Sequence, residues 1–425
     1  MNLKQLLLAG GALLGTTVAQ AGGFQVTLAG QKNNGMGGVG TGLALDQASM
    51  FYNPGALAMV RERGVQVGVN ATMARQVFRS QYAQYNSFDR QLDNTVTTPF
   101  NVYAGFGPTE GKWRAGIAVY TPFGSKLDYG YNWEGRFSLT EIDLKSVFVQ
   151  PTVSYAITDK LSVGAGLVVF AYGAVNLQRD IPVQNATDGQ FGHIELDGKA
   201  DQKIGYNVGI YYKPLDKVSI GLSYRSQIDA QVKGGDVTFS NLPNSAVVAS
   251  RFTASKFDVT LPLPATANLG IGVMPSEKLT IGFDVNYAQW SKYEKLEFTF
   301  DQPVNGSTSS ASVRDYKNSF TFRLGGQYQV TDAFTVRAGG SFDQSPVKDG
   351  YVTPETPDAN RLGATAGLSY KFGEHFGVDL STQFVSLKKR TQTQAELEAN
   401  GTTDRVAGTY KTNIVIPGIG LNYTF

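Results

Sequence analysis

Apolar residues recur at every second position in segment after segment between Gly64 and the C-terminal Phe425. Val218, Ile220, Leu222 and Tyr224 alternate with Ser219, Gly221 and Ser223, and Arg225 and Gln227 continue the polar row. Leu279, Ile281, Phe283, Val285 and Tyr287 alternate with Thr280, Gly282, Asp284 and Asn286. Phe334, Val336 and Ala338, and then Phe376, Val378 and Leu380, repeat the pattern. A period of two belongs to a β-strand with one apolar face, not to a helix. Even the most apolar later stretch, residues 161–175, sets Leu161, Val163, Ala165, Leu167 and Val169 against Ser162, Gly164 and Gly166.

Counting these segments gives fourteen expected strands: 64–78, 98–107, 112–121, 144–156, 160–177, 203–212, 218–232, 257–273, 278–300, 318–329, 333–343, 362–372, 376–387 and 406–425. Their connections alternate in length. Those after even-numbered strands are a few residues long, and those after odd-numbered strands run to roughly 15–25 residues. An even strand count with short turns at one end and long loops at the other is the pattern of a bacterial outer-membrane barrel. The expected fold is therefore all-β: a 14-stranded antiparallel transmembrane β-barrel, apolar rows toward lipid, polar rows toward the lumen, and both termini periplasmic. The mid-strand charges Arg225, Arg323, Arg337 and Asp284 all fall on the polar rows, where they avoid the cost of about 2–4 kcal/mol for Arg or Lys facing lipid at the midplane. The final Ile419, Leu421, Tyr423 and Phe425 alternate too, and a terminal aromatic resembles the insertion signal of such barrels.

The N-terminus predicts export. Lys4 precedes an apolar run over residues 6–18, and Ala19-Gln20-Ala21 is an A-x-A cleavage site. The expected organisation is a signal peptide (1–21), an N-terminal plug or hatch inside the lumen (22–62) and the transmembrane β-barrel (63–425). The plug is expected because residues 22–60 are rich in glycine, poor in charge and without sustained alternation. Only 17% of the chain is charged while 49 residues are glycine, which suits apolar residues spread one in two along many strands. A net charge of +2 gives no reason to expect a nucleic-acid partner, and the lack of cysteine excludes disulfides and thiolate metal sites.

The remaining motifs read as structure rather than catalysis. Gly35-Met36-Gly37-Gly38-Val39-Gly40 satisfies G-x-G-x-x-G, but no βαβ pattern follows, so tight packing inside a barrel is the expectation. The two histidines, His193 in an expected extracellular loop and His375 in a periplasmic turn, have no companion at metal or triad spacing. No catalytic residue, metal or cofactor is expected. A lumen cation could hold a carboxylate head group while apolar walls hold a tail. Arg225, Arg323 and Arg337 qualify by strand parity, and Arg179 by its place at the outer end of the fifth strand.

Residues 51–58, Phe51-Tyr52-Asn53-Pro54-Gly55-Ala56-Leu57-Ala58, together with Gly23-Phe24-Gln25 and the glycine-rich run, resemble the plug of the FadL/TodX family of outer-membrane transporters for hydrophobic compounds. Thr121-Pro122-Phe123-Gly124, followed by Trp133-Glu134-Gly135-Arg136-Phe137, and residues 149–155 are similar to that family's region after strand three. The family's usual Asn-Pro-Ala reads Asn53-Pro54-Gly55 here. The resemblance spans the mature chain. It implies passive uptake of long-chain fatty acids or aromatic hydrocarbons: capture at extracellular loops, a lumen site touching the plug, and sideways exit near a kinked third strand. On this reading Gly23, Phe24, Asn53 and Pro54 belong to the plug and gate, and Pro122 and Gly124 to the kink. Expected partners are hydrophobic small molecules and outer-membrane lipid or detergent, around a monomer. An open porin-like channel, or an adhesin or enzyme carried on the barrel, would be the alternatives.

Overall fold

The computed structural model describes residues 23–425 except 61, 82–88, 93–95, 109, 186 and 403. The expected signal peptide, Gly22 and Thr109 of the first turn lie outside the described residues.

The chain forms a closed antiparallel barrel of fourteen strands. Several strands are broken into a lower and an upper piece. They are β1 (Gly64–Asn70 and Thr72–Ser80), β2 (Val96–Thr97 and Phe100–Phe106), β3 (Trp113–Tyr120 and Gly124–Asp128), β4 (Glu141–Ala156) and β5 (Leu161–Gln184). Then come β6 (Phe191–Lys199 and Lys203–Leu215), β7 (Val218–Arg225 and Ile228–Ser240), β8 (Lys256–Leu263 and Thr266–Ser276), β9 (Leu279–Ala288 and Lys295–Val304) and β10 (Ser307–Val313 and Ser319–Gln329). β11 (Phe334–Asp343), β12 (Arg361–Phe372), β13 (Phe376–Leu387) and β14 (Gly408–Thr424) complete the wall. The barrel closes where β1 pairs β14, from Gly64↔Thr424 to Ser80↔Gly408. Lipid-facing residues stand out along the lower pieces: Ile220, Leu222 and Tyr224 on β7 are solvent-exposed, whereas Ser219, Gly221 and Ser223 between them are buried.

Two expectations need correction. The extracellular connections are not all long loops, because the strands run on past the membrane and absorb them. β9 and β10 meet in a two-residue turn at Asn305 (φ 51°) and Gly306 (φ 85°), the left-handed pair a type I′ hairpin requires. β5 and β6 are joined over residues 185–190, so His193 lies on the upper piece of β6, paired with Asp180 at 2.9 Å, not in a loop. The second correction concerns face. Strands read as continuous over 218–232 and 257–273 break at residues 226–227 and 264–265, and the apolar row changes side there although β7 and β8 stay in register, Arg225↔Thr266 below and Ile228↔Leu263 above. On β8, Leu269, Ile271 and Val273 face lipid, yet Phe257, Val259 and Leu263, on the same sequence parity, are buried in the lumen. β6 and β7 do the same with Ile194 and Leu196, and with Ile228 and Val232. Below the breaks the lumen is polar and glycine-rich; above them it is apolar.

The lower lumen is filled by residues 23–60, almost all buried. Two short helices, α1 (Gln31–Gly35) and α2 (Ser49–Tyr52), and a 3₁₀ turn (Pro54–Met59) are linked by the glycine-rich run. Glycine is needed on both sides of this contact. A Cβ on Gly35 would sit 2.9 Å from the backbone of Gly367 on β12, and one on Gly37 would sit 2.7 Å from the carbonyl of Gly340 on β11. Plug backbone polar groups are met from the wall. The buried Asp284 carboxylate on β9 accepts from the N–H groups of Gly40 and Thr41, both at 2.8 Å.

Candidate functional site

The plug's first described residues cross the lumen as a strap. At one end, the Gly23 N–H donates to Asp358 at 3.3 Å, and Arg361, paired with that carboxylate, donates to the Gly23 carbonyl at 3.3 Å. Gly23 has φ 71°, and a Cβ there would lie 2.8 Å from the Trp290 ring, so glycine is required twice over. At the other end the strap docks on the break in β3. The Val26 N–H donates to the Pro122 carbonyl at 2.6 Å, Gly124 N–H donates to the Phe24 carbonyl at 3.3 Å, and Gln25 bridges Phe123.

The break has a local cause and a wall-level consequence. Proline has no N–H to give a ladder, so regular pairing ends at Tyr120. It resumes with Gly124↔Lys145, four residues on along β3 against three along β4, from 148 to 145. The upper piece of β3 pairs only with β4, and the upper piece of β2 pairs only with β1, among the described residues. The wall between them carries no ladder there, and the strap lies across it. The expected kink residues Pro122 and Gly124 are thus the two whose backbone groups hold the strap.

Above the strap is an apolar cavity of about 730 Å³ of non-atom space, counting its open mouth. Phe24 forms its floor, 5.0 Å edge-to-face from Trp290 and 6.1 Å from Tyr293. The walls come from the upper pieces: Ile142 and Leu144 of β4, Val175 of β5, Val232 of β7, Val259 of β8 and Phe298 of β9. Its few polar groups include Ser125, Glu355 and Lys145, the last ion-paired to Asp143 at 3.0 Å. On the far side of Phe24 a smaller polar cavity, about 380 Å³, runs along Gln76 and Leu127 of β1 and β3. Phe24 and Thr356 line both cavities.

A third cavity of about 710 Å³ adjoins the apolar one, sharing Leu177, Leu296, Phe298 and Glu355. Three guanidiniums line it, and two are occupied. Arg314 is ion-paired to Glu355. Burial acts against its charge, but Glu355 and the phenols of Tyr293 and Tyr316 outweigh that and raise its pKa above the ordinary arginine value. Arg405 pairs with Asp404 at 2.8 Å and donates to the Val313 carbonyl. Arg179, half-buried in the same lining, makes no direct side-chain hydrogen bond or ion pair among the described residues; Asp404 and Glu355 act on it only at longer range.

The other three arginines singled out from sequence face the lumen, lower down, and are engaged. Arg225 donates to the Tyr120 hydroxyl at 2.6 Å, to Gln150 at 3.1 Å and to the plug carbonyl of Phe51 at 3.1 Å, and lies over the Phe51 ring. Arg323 packs on Gly38 and reaches Thr27 at 3.4 Å. Arg337 bonds Gln327 at 3.0 Å and Ser369, which in turn bonds Asp379. Asn53 lies at the opposite end of the plug from Phe24. Its amide donates to the Thr41 and Ile210 carbonyls at 2.9 and 3.0 Å, its oxygen accepts from Gly55 at 2.9 Å, and Pro54 starts the 3₁₀ turn. Sequence reading missed Lys145, Trp290, Asp358 and Arg361. Of these only Asp358-x-x-Arg361, an oppositely charged pair at the entry to β12, carried a local signal.

The chain is similar to known proteins in sequence and fold. Residues 12–425 match the family described as outer membrane protein transport protein (OMPP1/FadL/TodX). Outer membrane protein P1 of Haemophilus influenzae is 24% identical, with all of both chains covered. A long-chain fatty acid transport protein of Escherichia coli O6:H1 is 23% identical over 68% of this chain and 70% of its own. The crystal structure of a Pseudomonas aeruginosa FadL homologue superposes with a TM-score of 0.80, at 18% identity, over 95% of this chain and all of that one.

Proposed function

The chain belongs to the outer membrane protein transport protein family, and from that premise we propose that it takes up long-chain fatty acids passively across the outer membrane. The observation that carries this reading is the apolar cavity floored by Phe24, with Arg179 unpaired in the cavity beside it. An acyl tail gains about 0.8 kcal/mol for each methylene moved out of water, so the walls supply most of the affinity. The Arg179 guanidinium then fixes which end of the ligand points outward, by a charge-assisted bond to its carboxylate.

The upper strand pieces and loops capture the ligand, and the tail descends to Phe24. Release goes sideways. When the strap leaves Pro122 and Gly124, the unladdered wall between β2 and β3 opens beside the smaller cavity, and the tail passes from lumen to lipid. Gly23 and Phe24 move in this step, while Asn53 and Pro54 stay fixed on β6. The plug fills the lower lumen, which supports a gated route over a water-filled pore, and the protein works as a monomer.

The test is a side-by-side binding measurement on purified protein with a long-chain fatty acid and an aromatic hydrocarbon. Saturable fatty-acid binding that excess aromatic hydrocarbon does not displace is the expected result. Binding of the aromatic compound alone would replace the fatty acid by the family's other substrate class. A large steady conductance in a planar bilayer would reject the gated route altogether.

A further inference from the structure

One arc of the barrel's outer rim is strongly basic, and the cross-strand register places it against the lipid. Phe384 of β13, Val415 of β14 and Met73 of β1 form one lipid-facing row, exposed by 50%, 44% and 44%. The next outward residues on the same strands are Ser386, Asn413 and Arg75, again in register. Beyond them come Lys411, opposite Val77, and the exposed Lys388, one residue past the end of β13. Positive charge therefore begins one row above Phe384, Val415 and Met73, with Val77 level with Lys411.

The same face carries a cleft of about 790 Å³ between the ends of β10, β11 and β13. Lys317, Lys348, Lys388, Lys389 and Arg390 line it against the single carboxylate of Asp349. Arg390 is committed to Asp349 at 2.8 Å and Lys348 to Asp315 at 2.7 Å. Among the described residues, the side chains of Arg75, Lys317, Lys388, Lys389 and Lys411 have no hydrogen-bond or ion-pair partner. The opposite arc, on the upper pieces of β6 to β9, is different. Asp197, Asp236, Asp258 and Asp301 are exposed there among Lys199, Lys233, Lys256 and Lys295, and the last three lysines are ion-paired to Asp201, Asp236 and Glu297. A generally basic rim would not be confined to one side.

We propose that this arc binds the phosphorylated headgroup of the anionic glycolipid in the outer leaflet. The membrane position argues for a lipid rather than a free anion. A ligand that lays acyl chains on Phe384, Val415 and Met73 brings its headgroup phosphates level with Arg75, Lys411 and Lys388. Ammonium and guanidinium groups give charge-assisted bonds to phosphate oxygens while their methylene stems cover the adjoining apolar surface. The attractions of cations near an anionic lipid surface add, so three unpaired cations hold one headgroup in place.

The experiment uses the full-length protein in a zwitterionic detergent, titrated with bisphosphorylated lipid A and with the same lipid stripped of its phosphates. The wild-type protein is expected to bind the phosphorylated form at least about tenfold tighter, with affinity falling as salt rises. The triple variant Arg75→Gln, Lys388→Gln, Lys411→Gln is expected to lose that preference. A control, Lys256→Gln with Lys295→Gln on the opposite arc, should keep it. Equal binding of the two lipids by the wild type overturns the proposal without recourse to any variant, so a folding failure of the triple variant does not shield it. It is equally overturned if the control loses as much as the triple variant. Displacement of the lipid by millimolar inorganic phosphate would make this a free-phosphate site and reject the headgroup.

Discussion

Arg179 bears its charge beside an apolar cavity and makes no direct ion pair among the described residues, whereas Arg314 and Arg405, in the same lining, hold Glu355 and Asp404, which reach Arg179 only at longer range. That difference decides which guanidinium is available to a ligand. Arg179→Gln should weaken binding of a long-chain fatty acid by roughly tenfold to a hundredfold, the equivalent of a charged hydrogen bond of about 1.5–3 kcal/mol. Binding of the matching fatty alcohol should be unchanged. Calorimetric titration of both ligands checks this, and an equal loss for acid and alcohol would reduce Arg179 to a packing role. Strand parity was enough to turn Arg225, Arg323 and Arg337 toward the lumen. It could not show that the plug's Phe51 carbonyl, Gly38 and Thr27 would claim two of them, because a non-repeating segment has no register against the wall.

At the scale of elements, the strap from Gly23 to Val26 and the break in β3 act as one unit, since each satisfies backbone groups of the other. Antiparallel bridge partners such as Gln25 and Phe123 have Cα atoms about 4.5–5.5 Å apart, within the range a disulfide spans. The chain has no native cysteine, so the double variant Gln25→Cys, Phe123→Cys gives one defined crosslink. Oxidised, it should still bind fatty acid but release almost none into lipid vesicles; reductant should restore release. Transfer at the wild-type rate in the oxidised form would exclude movement of the strap. Pro122→Ala adds an N–H that can pair across the break, and should slow transfer while leaving equilibrium binding unchanged, as stopped-flow transfer would report. The break itself was legible, because Pro122 has no N–H to give a regular ladder there. The ligand cavity was not. On β8 the row Phe257, Val259, Leu263, Leu269, Ile271 keeps one parity throughout, and only the break at residues 264–265 turns its first half inward. An apolar row reads the same from sequence whether it faces lipid or a hydrophobic lumen.

At the scale of the whole molecule, barrel and plug differ in what can give way. The wall's ladder is unbroken around the lower half, from β1 pairing β14 back to β1 pairing β2. Shifting one strand there would strain its neighbours on both sides. The glycine-rich run is held by a few bonds, chiefly from Asp284 and Thr365, which accepts from the Gly37 N–H at 2.8 Å. Fourteen strands, their order and their inward glycines were readable because alternation is local; the path of the plug depends on which glycines let its backbone approach. Gly325 and Gly339, on β10 and β11, face the Met36 backbone so closely that a Cβ on either would overlap it. Overpacking of this kind costs about 1–3 kcal/mol where the surroundings can adjust. The adjustable partner here is the plug. Gly325→Val with Gly339→Val should therefore leave a folded, heat-modifiable barrel whose residues 35–42 no longer seat. Planar-bilayer recording should then show a steady ion leak that the wild type lacks, with fatty-acid binding at Phe24 weakened far less. If the variant instead fails to fold, plug and wall are one cooperative unit, and the barrel cannot be treated as a preformed frame in which the strap moves.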